Sequence, residues 1–389
     1  MGNGVAPVAA MAALWAVWGC NASTTPGIPF EVRDSGGVTI AVSMAVPPGT
    51  DATVVFSSEP LTVIDGPFSE IRGVEILQGG GVVIADGYAN QIRVYSASGE
   101  LLRRIGGDGD GPNEFRGPSL VRDMTDPSVL YAYDRRSRRV LQFDPAHGVL
   151  SPIGNLDKAR RVLGSLAPVG AANGRLIFQT NNIDESKFMS REAGTFPFTQ
   201  RVWSIDGKSG EQILLAEHEV PFVHKNERNG MAWNIPFAPR IAATALSSGT
   251  AVVSPGPAEV RLHDHTGMLS RVFRISAGRS RVDEVALKHW NEVLDPTEGG
   301  SASPDSVPFF DRIIADDRDR VWVRRYEMRP NVGTEWFVFT AEGRLAGVAM
   351  VPAGLEVRSI YSGYAAGVIS GDFDEERVAV YSISGARAN

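Results

Sequence analysis

Short apolar segments, separated by turn-forming residues, repeat along most of this chain. Four of them lie between Ile71 and Ile105, rich in Val and Ile and bounded by Gly, Asn, Asp or Ser. In the third, Gln91–Tyr95, apolar and polar residues alternate as they do in a strand with one buried face. Four short strands joined by tight turns predict one four-stranded antiparallel sheet.

Weaker copies of this unit follow at 129–150, 175–215, 251–273, 319–350 and 367–383. One position near the end of the third strand aligns the copies, and it is occupied by Tyr95, Phe143, Ile205, His263, Phe339 and Tyr381. A sheet this small cannot bury its own apolar face and is stable only when neighbouring copies stack against it. The chain is therefore predicted to be all-β, a six-bladed β-propeller of four-stranded antiparallel blades closed into a ring.

The two ends of the chain predict how the ring closes. The sixth copy ends near Ile383 without an obvious fourth strand, whereas Val38–Val46 and Pro60–Ile64 are strand-like and belong to no copy. We expect a strand from this N-terminal region to complete the last blade. Because Cys20 is the single cysteine, no intrachain disulfide can share that task.

One segment has a helical period instead. In 280–294, apolar residues recur on one helical stripe, Ser280 with Asp283 resembles a capping box, and Asp295-Pro296 ends the run. We expect one inserted helix at about 280–294, packed on a rim of the ring between the fourth and fifth blades.

The first copy resembles the NHL repeat. Ile84-Ala85-Asp86, Asn90, Ile92, Tyr95, Gly99, Gly107, Gly109, Gly111 and Phe115 match the repeat's conserved pattern. Over residues 30–384 the chain resembles bacterial six-bladed propeller lipoproteins built from such repeats. The resemblance implies a propeller fold and indicates little about the ligand.

The N-terminus suggests export. Residues 5–18 form an apolar run of the length of a signal-peptide core, and Val17-Trp18-Gly19-Cys20 resembles a bacterial lipobox. In lipoproteins the cysteine thiol carries the lipid, so Cys20 is the expected attachment site and the membrane an expected partner. The alternative is a plain secretory signal with an incidental cysteine. We divide the chain into a signal peptide at 1–20, a linker at 21–37 and a single propeller domain at 38–389.

The composition and charge of the chain limit the classes of partner that we expect. The formal net charge of −7 is mild and the basic residues are scattered, with the densest run, Arg135 to Arg139, where a hairpin turn is predicted. A solvated turn explains this run better than a nucleic-acid patch, so no nucleic-acid partner is expected.

Three sets of residues are candidates for metal chemistry. Asp108, Asp110 and Glu114 offer hard oxygen ligands for Ca²⁺, but their spacing fails the EF-hand pattern and an inter-blade turn explains the glycines around them. Asp86, Asp134 and Asp372 share one position of the repeat, which favours hydrogen bonds that fix a turn. His263 and His265 are two residues apart on a strand, yet His263 occupies the aligned core position, which favours packing.

These observations predict a non-catalytic binding or scaffold protein of the bacterial cell envelope. We expect no cofactor, a monomer, and a rim of loops that binds a protein, peptide or glycan. The longest loops are predicted at 181–200, 219–236 and 295–308, and they supply the candidate contacts Phe188, Phe196, Phe198, Phe222 and Trp233. The alternative is a metal-dependent hydrolase or lyase with Ca or Zn in the channel, as in the amidating lyases and lactonases that share the fold.

Overall fold

A computed structural model describes residues 29–44, 53–163, 166–183, 194–225, 232–235, 237–253, 256–285, 287–288, 305–328, 332–371 and 375–385. The predicted lipid site Cys20, together with Phe188 and Asp372, lies outside these ranges. The N-terminal strands are β1 (Phe30–Ser35), β2 (Val38–Met44), β3 (Val55–Phe56) and β4 (Thr62–Phe68).

Six antiparallel sheets follow in the described ranges, and we number them blades 1 to 6. Blade 1 contains β5 (Ile71–Ile76), β6 (Val82–Asp86), β7 (Gln91–Tyr95) and β8 (Leu101–Gly106). Blade 2 contains β9 (Pro118–Arg122), β10 (Leu130–Asp134), β11 (Arg139–Asp144) and β12 (Val149–Asn155). A 3₁₀ turn (Asp157–Ala159) and the short helix α1 (Arg160–Leu163) follow. Blade 3 contains β13 (Pro168–Ala172), β14 (Arg175–Ile183), β15 (Gly194–Asp206), β16 (Gln212–Lys225) and β17 (Ala232–Asn234).

The second half of the ring has the same plan. Blade 4 contains β18 (Ala242–Leu246), β19 (Gly249–Val253), β20 (Glu259–His263) and β21 (Leu269–Ser276). Blade 5 contains β22 (Phe310–Ala315), β23 (Val321–Arg325), β24 (Thr334–Phe339) and β25 (Leu345–Val351). Blade 6 contains β26 (Glu356–Tyr361), β27 (Tyr364–Ser370) and β28 (Glu376–Ser384). The molecule is a six-bladed β-propeller, as the repeat predicts.

The aligned position occupies the same place in every blade. Its residue pairs with the first or second residue of the neighbouring second strand, in Tyr95↔Val82, Phe143↔Leu130, Ile205↔Leu176, His263↔Thr250, Phe339↔Val321 and Tyr381↔Ala365. The weak copies of the repeat are therefore blades in the same register as the clear one.

The hydrophobic core lies between the blades. Phe273 of blade 4 stacks on Phe339 of blade 5 with ring centroids 5.8 Å apart, and Tyr133 of blade 2 meets Phe178 of blade 3 edge-on at 5.4 Å. Each such buried ring contributes about 1.5–3 kcal/mol relative to exposure. Stability therefore depends on the ring as a whole, because each blade supplies only half of a core.

The inner strands of neighbouring blades approach closely at two glycines. A Cβ on Gly73 would lie 2.7 Å from the backbone nitrogen of Leu120, and one on Gly170 would lie 2.8 Å from that of Ala245. Only a residue without a side chain permits these contacts, which bring blade 1 against blade 2 and blade 3 against blade 4 beside the channel.

The ring closes through the N-terminal region, and more extensively than the sequence predicts. Strand β4 pairs antiparallel with β28 and completes blade 6, as expected for one of the two N-terminal segments. The other, β2, instead pairs parallel with β21 at the outer edge of blade 4, and β1 pairs with β2. Between them, Val54 bridges Ala349 of blade 5. We call residues 30–44 and 53–68 the strap, because they contact blades 4, 5 and 6 in turn.

Three predicted boundaries are corrected. The expected linker at 21–37 contains β1, whose six residues pair with β2, so the folded region begins before residue 38. The expected loops at 181–200 and 219–236 contain the end of β14, about half of β15 and of β16, and all of β17. The hairpins of blade 3 continue past the blade as one long ribbon. Of the loop at 295–308, residues 305–308 are described.

The inserted helix at about 280–294 is reduced to one turn in its described residues, 280–285 and 287–288. The N–H of Leu287 donates to the carbonyl of Asp283 at 2.9 Å, and Asp283 Oδ1 accepts the N–H of Val285 at 2.7 Å. Ser280 is not the cap that the sequence predicts, since its carbonyl accepts from Val307 in an extended pairing. The remainder of the predicted helix lies outside the described residues.

Candidate functional site

The blades define two ends of the ring. We call one of them the crossover end. There the chain turns from the second to the third strand of each blade, and there it also passes from one blade to the next. A cleft of about 350 Å³ opens at this end between blades 1 and 2. We call it the blade 1–2 cleft, and its lining consists of Glu70, Arg72, Gly87, Tyr88, Asn90, Asp108, Arg116, Gly117, Arg135 and Arg136.

Two equivalent turns form the walls of the cleft. Asp86 ends β6, and its Oδ1 accepts the N–H groups of Tyr88 at 3.2 Å and Ala89 at 3.0 Å. Asp134 ends β10, and its Oδ1 accepts those of Arg136 at 3.1 Å and Ser137 at 3.3 Å. The turn-fixing role predicted for Asp86 and Asp134 is confirmed. The two turns therefore present Tyr88 and Arg136 from corresponding positions of adjacent blades.

Asn90 fastens the wall of the cleft to the chain connecting the blades. Its Oδ1 accepts the N–H of Gly117 at 2.7 Å, and its Nδ2 donates to Asp108 Oδ1 at 3.3 Å. Its φ of 56° is in the left-handed region, which asparagine tolerates better than most residues. Asn90 thus orients the lining of the cleft.

The charge of the lining is opposite in sign to that of the chain. Four arginines face two carboxylates in the cleft, whereas the whole chain has a formal net charge of −7. Arg72 pairs with Glu70, and Arg116 pairs with Asp110 at 3.1 Å. Arg136 lines the same cleft and is exposed. The cleft therefore offers guanidinium donors to an anionic group.

The mouth of the central channel adjoins the cleft and shares Arg72 with it. Here Glu356 forms ion pairs with two arginines. Its Oε1 lies 2.6 Å from Arg312 Nη1 and its Oε2 lies 3.1 Å from Arg358 Nη2. Burial alone would raise the pKa of Glu356, but Arg312 and Arg358 hold it below its ordinary value. Burial lowers the pKa of Arg312 despite the attraction of Glu356. The mouth is thus also rich in guanidinium groups.

Deeper in the channel, a buried polar network joins three blades. Arg122 of blade 2 lies 3.3 Å from Glu75 of blade 1, and Ser359 of blade 6 donates to Glu75 at 3.1 Å. Arg122 also donates to the carbonyls of Ile76 and Pro127. Burial raises the pKa of Glu75 against the opposing effects of Arg122 and Ser359. The closed geometry of this network indicates a structural tie.

The three predicted Ca²⁺ ligands have separate partners. Asp108 accepts from Asn90, Asp110 pairs with Arg116, and Glu114 Oε2 accepts the N–H of Gly111 at 2.9 Å. Arg139 donates hydrogen bonds to the backbone carbonyl oxygens of Asp110, Gly111 and Glu114 in the same segment. In the described residues, no group of three or more His, Cys, Asp or Glu side chains is placed to hold a metal ion.

The two histidines predicted as possible ligands contact different partners. His263 is half-buried, with its Nδ1 3.2 Å from the carbonyl oxygen of Gly267, whereas His265 Nε2 lies 3.2 Å from that of Ser247. Burial lowers the pKa of His263 below its ordinary value. The packing role predicted for His263 is consistent with this position.

Four of the five predicted aromatic contacts lie on strands of the blade 3 ribbon, and the lining of the cleft does not include them. Phe196 is buried and Phe198 half-buried on β15. Phe222 and Trp233 belong to β16 and β17, and their side chains are outside the described set. The aromatic residue that reaches the cleft is Tyr88, which the sequence treats only as part of a turn.

Two of the four arginines of the cleft carry a signal in the sequence. Arg135 and Arg136 begin the densest basic run, and the repeat aligns Asp134-Arg135-Arg136 with Asp86-Gly87-Tyr88. The predicted turn at this run is present, and it also lines the cleft opposite the turn of blade 1. Arg72 and Arg116 are single arginines far apart in sequence, so only the fold brings them together.

One family comparison agrees with the architecture. Residues 62–230 match the profile of DUF5128, described as a 6-bladed beta-propeller. No curated protein matches the chain. A DUF4221 member from Bacteroides vulgatus is similar at 11% identity and a TM-score of 0.47, over 86% of this chain and 99% of its own. A Bacteroides fragilis protein described as exported is similar at 12% identity and 0.46, over 90% and 100%. In its described segments the chain contains no helix long and apolar enough to cross a bilayer.

Proposed function

We propose that this chain is a non-catalytic binding protein of the bacterial cell envelope and that it binds its ligand at the crossover end of the ring. The observation that carries the proposal is the pair of adjoining concave surfaces, the blade 1–2 cleft and the channel mouth, which share Arg72. Both surfaces rest on turns and inner strands that the neighbouring blades hold rigidly. Such preformed concave sites with a few oriented polar groups are typical of ligand-binding surfaces.

A photo-crosslinking experiment tests the location. Benzoylphenylalanine would replace Tyr88 at the cleft or, as the control, Met268 in a turn at the opposite end of the ring; the native side chains are 74% and 70% exposed. After irradiation in an extract of bacterial envelopes, we expect a discrete adduct from position 88 and none from position 268. Equal labelling at both positions would contradict the proposal.

Envelope anchoring is the second part of the proposal and rests on Cys20 and the apolar run before it. We expect Cys20→Ala to move the protein from the membrane fraction to the aqueous fraction of the expressing bacterium. Unchanged retention in the membrane fraction would reject lipid attachment at this residue.

The competing enzymatic function has a distinct signature. Elemental analysis of the purified protein would detect stoichiometric, tightly held Ca or Zn if a metal-dependent hydrolase or lyase site exists. A loss of thermal stability on chelation would identify the same site. Either result would favour the enzyme over the binding protein.

A further inference from the structure

We propose that the blade 1–2 cleft binds a sugar that carries a carboxylate, with the sugar ring on Tyr88 and the carboxylate among the arginines. The inference rests on the proposed function, because it names the ligand class of that same end of the ring.

Tyr88 is the first part of the argument. Its side chain is 74% exposed, the largest value among the exposed large hydrophobic residues of the described chain. Its backbone is nevertheless fixed, since Asp86 accepts the N–H groups of residues 88 and 89. An aromatic ring on a rigid turn offers a flat apolar face with little conformational entropy to lose on binding. The apolar face of a pyranose ring fits such a surface.

The arginines are the second part. Arg136 is exposed on the equivalent turn of blade 2, and Arg72, Arg116 and Arg135 also line the cleft. The planar guanidinium of arginine matches a carboxylate in a bidentate pair. A carboxylate beside Arg136 would therefore form charge-assisted hydrogen bonds with an exposed guanidinium group.

The shape of the cleft distinguishes a sugar from an acidic peptide. Extended peptides commonly bind by adding a strand to an exposed sheet edge. The described lining instead consists of turns, an inter-blade connection and the start of an inner strand. Gly87 and Gly117 make room for the Arg72 side chain, because a Cβ on Gly87 would overlap Arg72 Cδ and Nε and one on Gly117 would lie 3.4 Å from Arg72 Nη1. The volume of about 350 Å³ suits one or two sugar units.

Calorimetric titration tests the inference on the purified protein. The acidic probes are the trimers of galacturonate and guluronate and the monomer glucuronate; the neutral probe is maltotriose; the peptide probe is triglutamate. We expect at least one uronate to bind about tenfold more tightly than maltotriose, because charge-assisted hydrogen bonds exceed neutral ones. We also expect that binding to weaken as salt concentration rises.

Variants locate the binding. Tyr88→Ala and Arg136→Ala should each weaken uronate binding about tenfold. Arg136→Lys should weaken it less, because lysine keeps the positive charge although it cannot form the bidentate hydrogen bonds of a guanidinium group. Met268→Ala and Arg104→Ala, exposed residues outside the cleft, are the controls and should leave binding unchanged. Because all four positions are exposed, the melting temperature should stay constant across the set.

The outcomes separate this inference from the proposed function. Absence of binding by all three uronates, or tighter binding of triglutamate, overturns the sugar assignment; an adduct from position 88 would then still support a ligand at this end. Uronate binding that persists in Tyr88→Ala and Arg136→Ala overturns the cleft as its location. Absence of both uronate binding and the adduct overturns the inference and the proposed function together.

Discussion

Asn90 shows how one side chain orients the candidate site. It holds a left-handed backbone conformation and ties its turn to both Gly117 and Asp108. In Asn90→Ala both hydrogen bonds are lost and the positive φ becomes strained. We expect this change to lower the free energy of unfolding by about 1–3 kcal/mol.

Asn90→Gly separates the two causes. Glycine relieves the backbone strain but restores neither hydrogen bond, so this variant should lose less stability than Asn90→Ala. Urea denaturation of both variants beside the wild type measures the difference. Equal losses would mean that the side-chain bonds alone matter at this position.

Glu75 and Arg122 form a second residue-scale prediction. Both are at least nine-tenths buried, and each compensates the other's charge. Glu75→Leu should destabilise the protein by about 3 kcal/mol, because Arg122 would remain buried without its counterion. The double variant Glu75→Leu/Arg122→Met should lose less stability than the sum of the losses in Glu75→Leu and Arg122→Met. Additive losses in denaturant melts would argue against a coupled pair.

At the scale of elements, the interface between β16 of blade 3 and β20 of blade 4 contains two histidines. Burial lowers the pKa of His218 and of His263, and Arg261 lowers both further. Gly267 and Asp264 oppose this for His263, and the nearby Glu259 is held below its ordinary pKa by Arg261 and Arg274 despite burial. The fold therefore favours neutral imidazoles at this interface.

The lowered pKa values of these histidines determine how the stability of the protein changes with pH. A histidine with a depressed pKa contributes its stability above the unfolded value, about 6.5, and loses it as the pH falls through the folded value. We expect the urea midpoint to decrease below pH 6.5, before the acidic groups titrate. His263→Phe, which places the residue of blades 2 and 5 at this position, should flatten that decrease. His147→Gln, on an exposed turn, is the control and should leave it in place.

The elements also show where prediction from sequence succeeds and where it stops. Blade 1 and the closing strand β4 are predictable, since short-range alternation and turn residues specify them. The parallel pairing of β2 with β21 is not, because it joins Thr39 to Arg271 across most of the chain. The ribbon of blade 3 is missed because Pro197 and Pro221 interrupt its strand pattern near bulges.

The residues of the candidate site are likewise only partly predictable from the sequence. The turn aspartates are predictable from their recurrence, and Arg135 and Arg136 are visible as a basic run. Tyr88 stands in a turn with no distinguishing neighbour, and Arg72 and Arg116 gain meaning only when β5 and the inter-blade connection meet. A binding surface made from the ends of separate strands has no contiguous signature in sequence.

At the scale of the whole molecule, the strap holds the ring closed. It inserts Ala41, Val54, Phe56 and Ile64 into the cores of blades 4 to 6, each less than a tenth exposed. Ser43 Oγ also accepts the buried N–H of Leu345, which links the strap to blade 5. The larger of these side chains contribute about 1.5–3 kcal/mol each, and their sum is comparable with the net stability of about 5–15 kcal/mol typical of a domain.

Removing the strap should therefore abolish cooperative folding. We expect a chain lacking residues 22–66 to show no sharp thermal transition by calorimetry and to aggregate, because β21 and β28 would become exposed edges. A chain lacking only residues 22–29, which precede β1, should melt as the full chain does. A synthetic peptide of residues 29–68 should restore part of the transition when it is added to the shortened chain. A monomeric, cooperatively melting particle without the strap would show that the ring closes by other contacts.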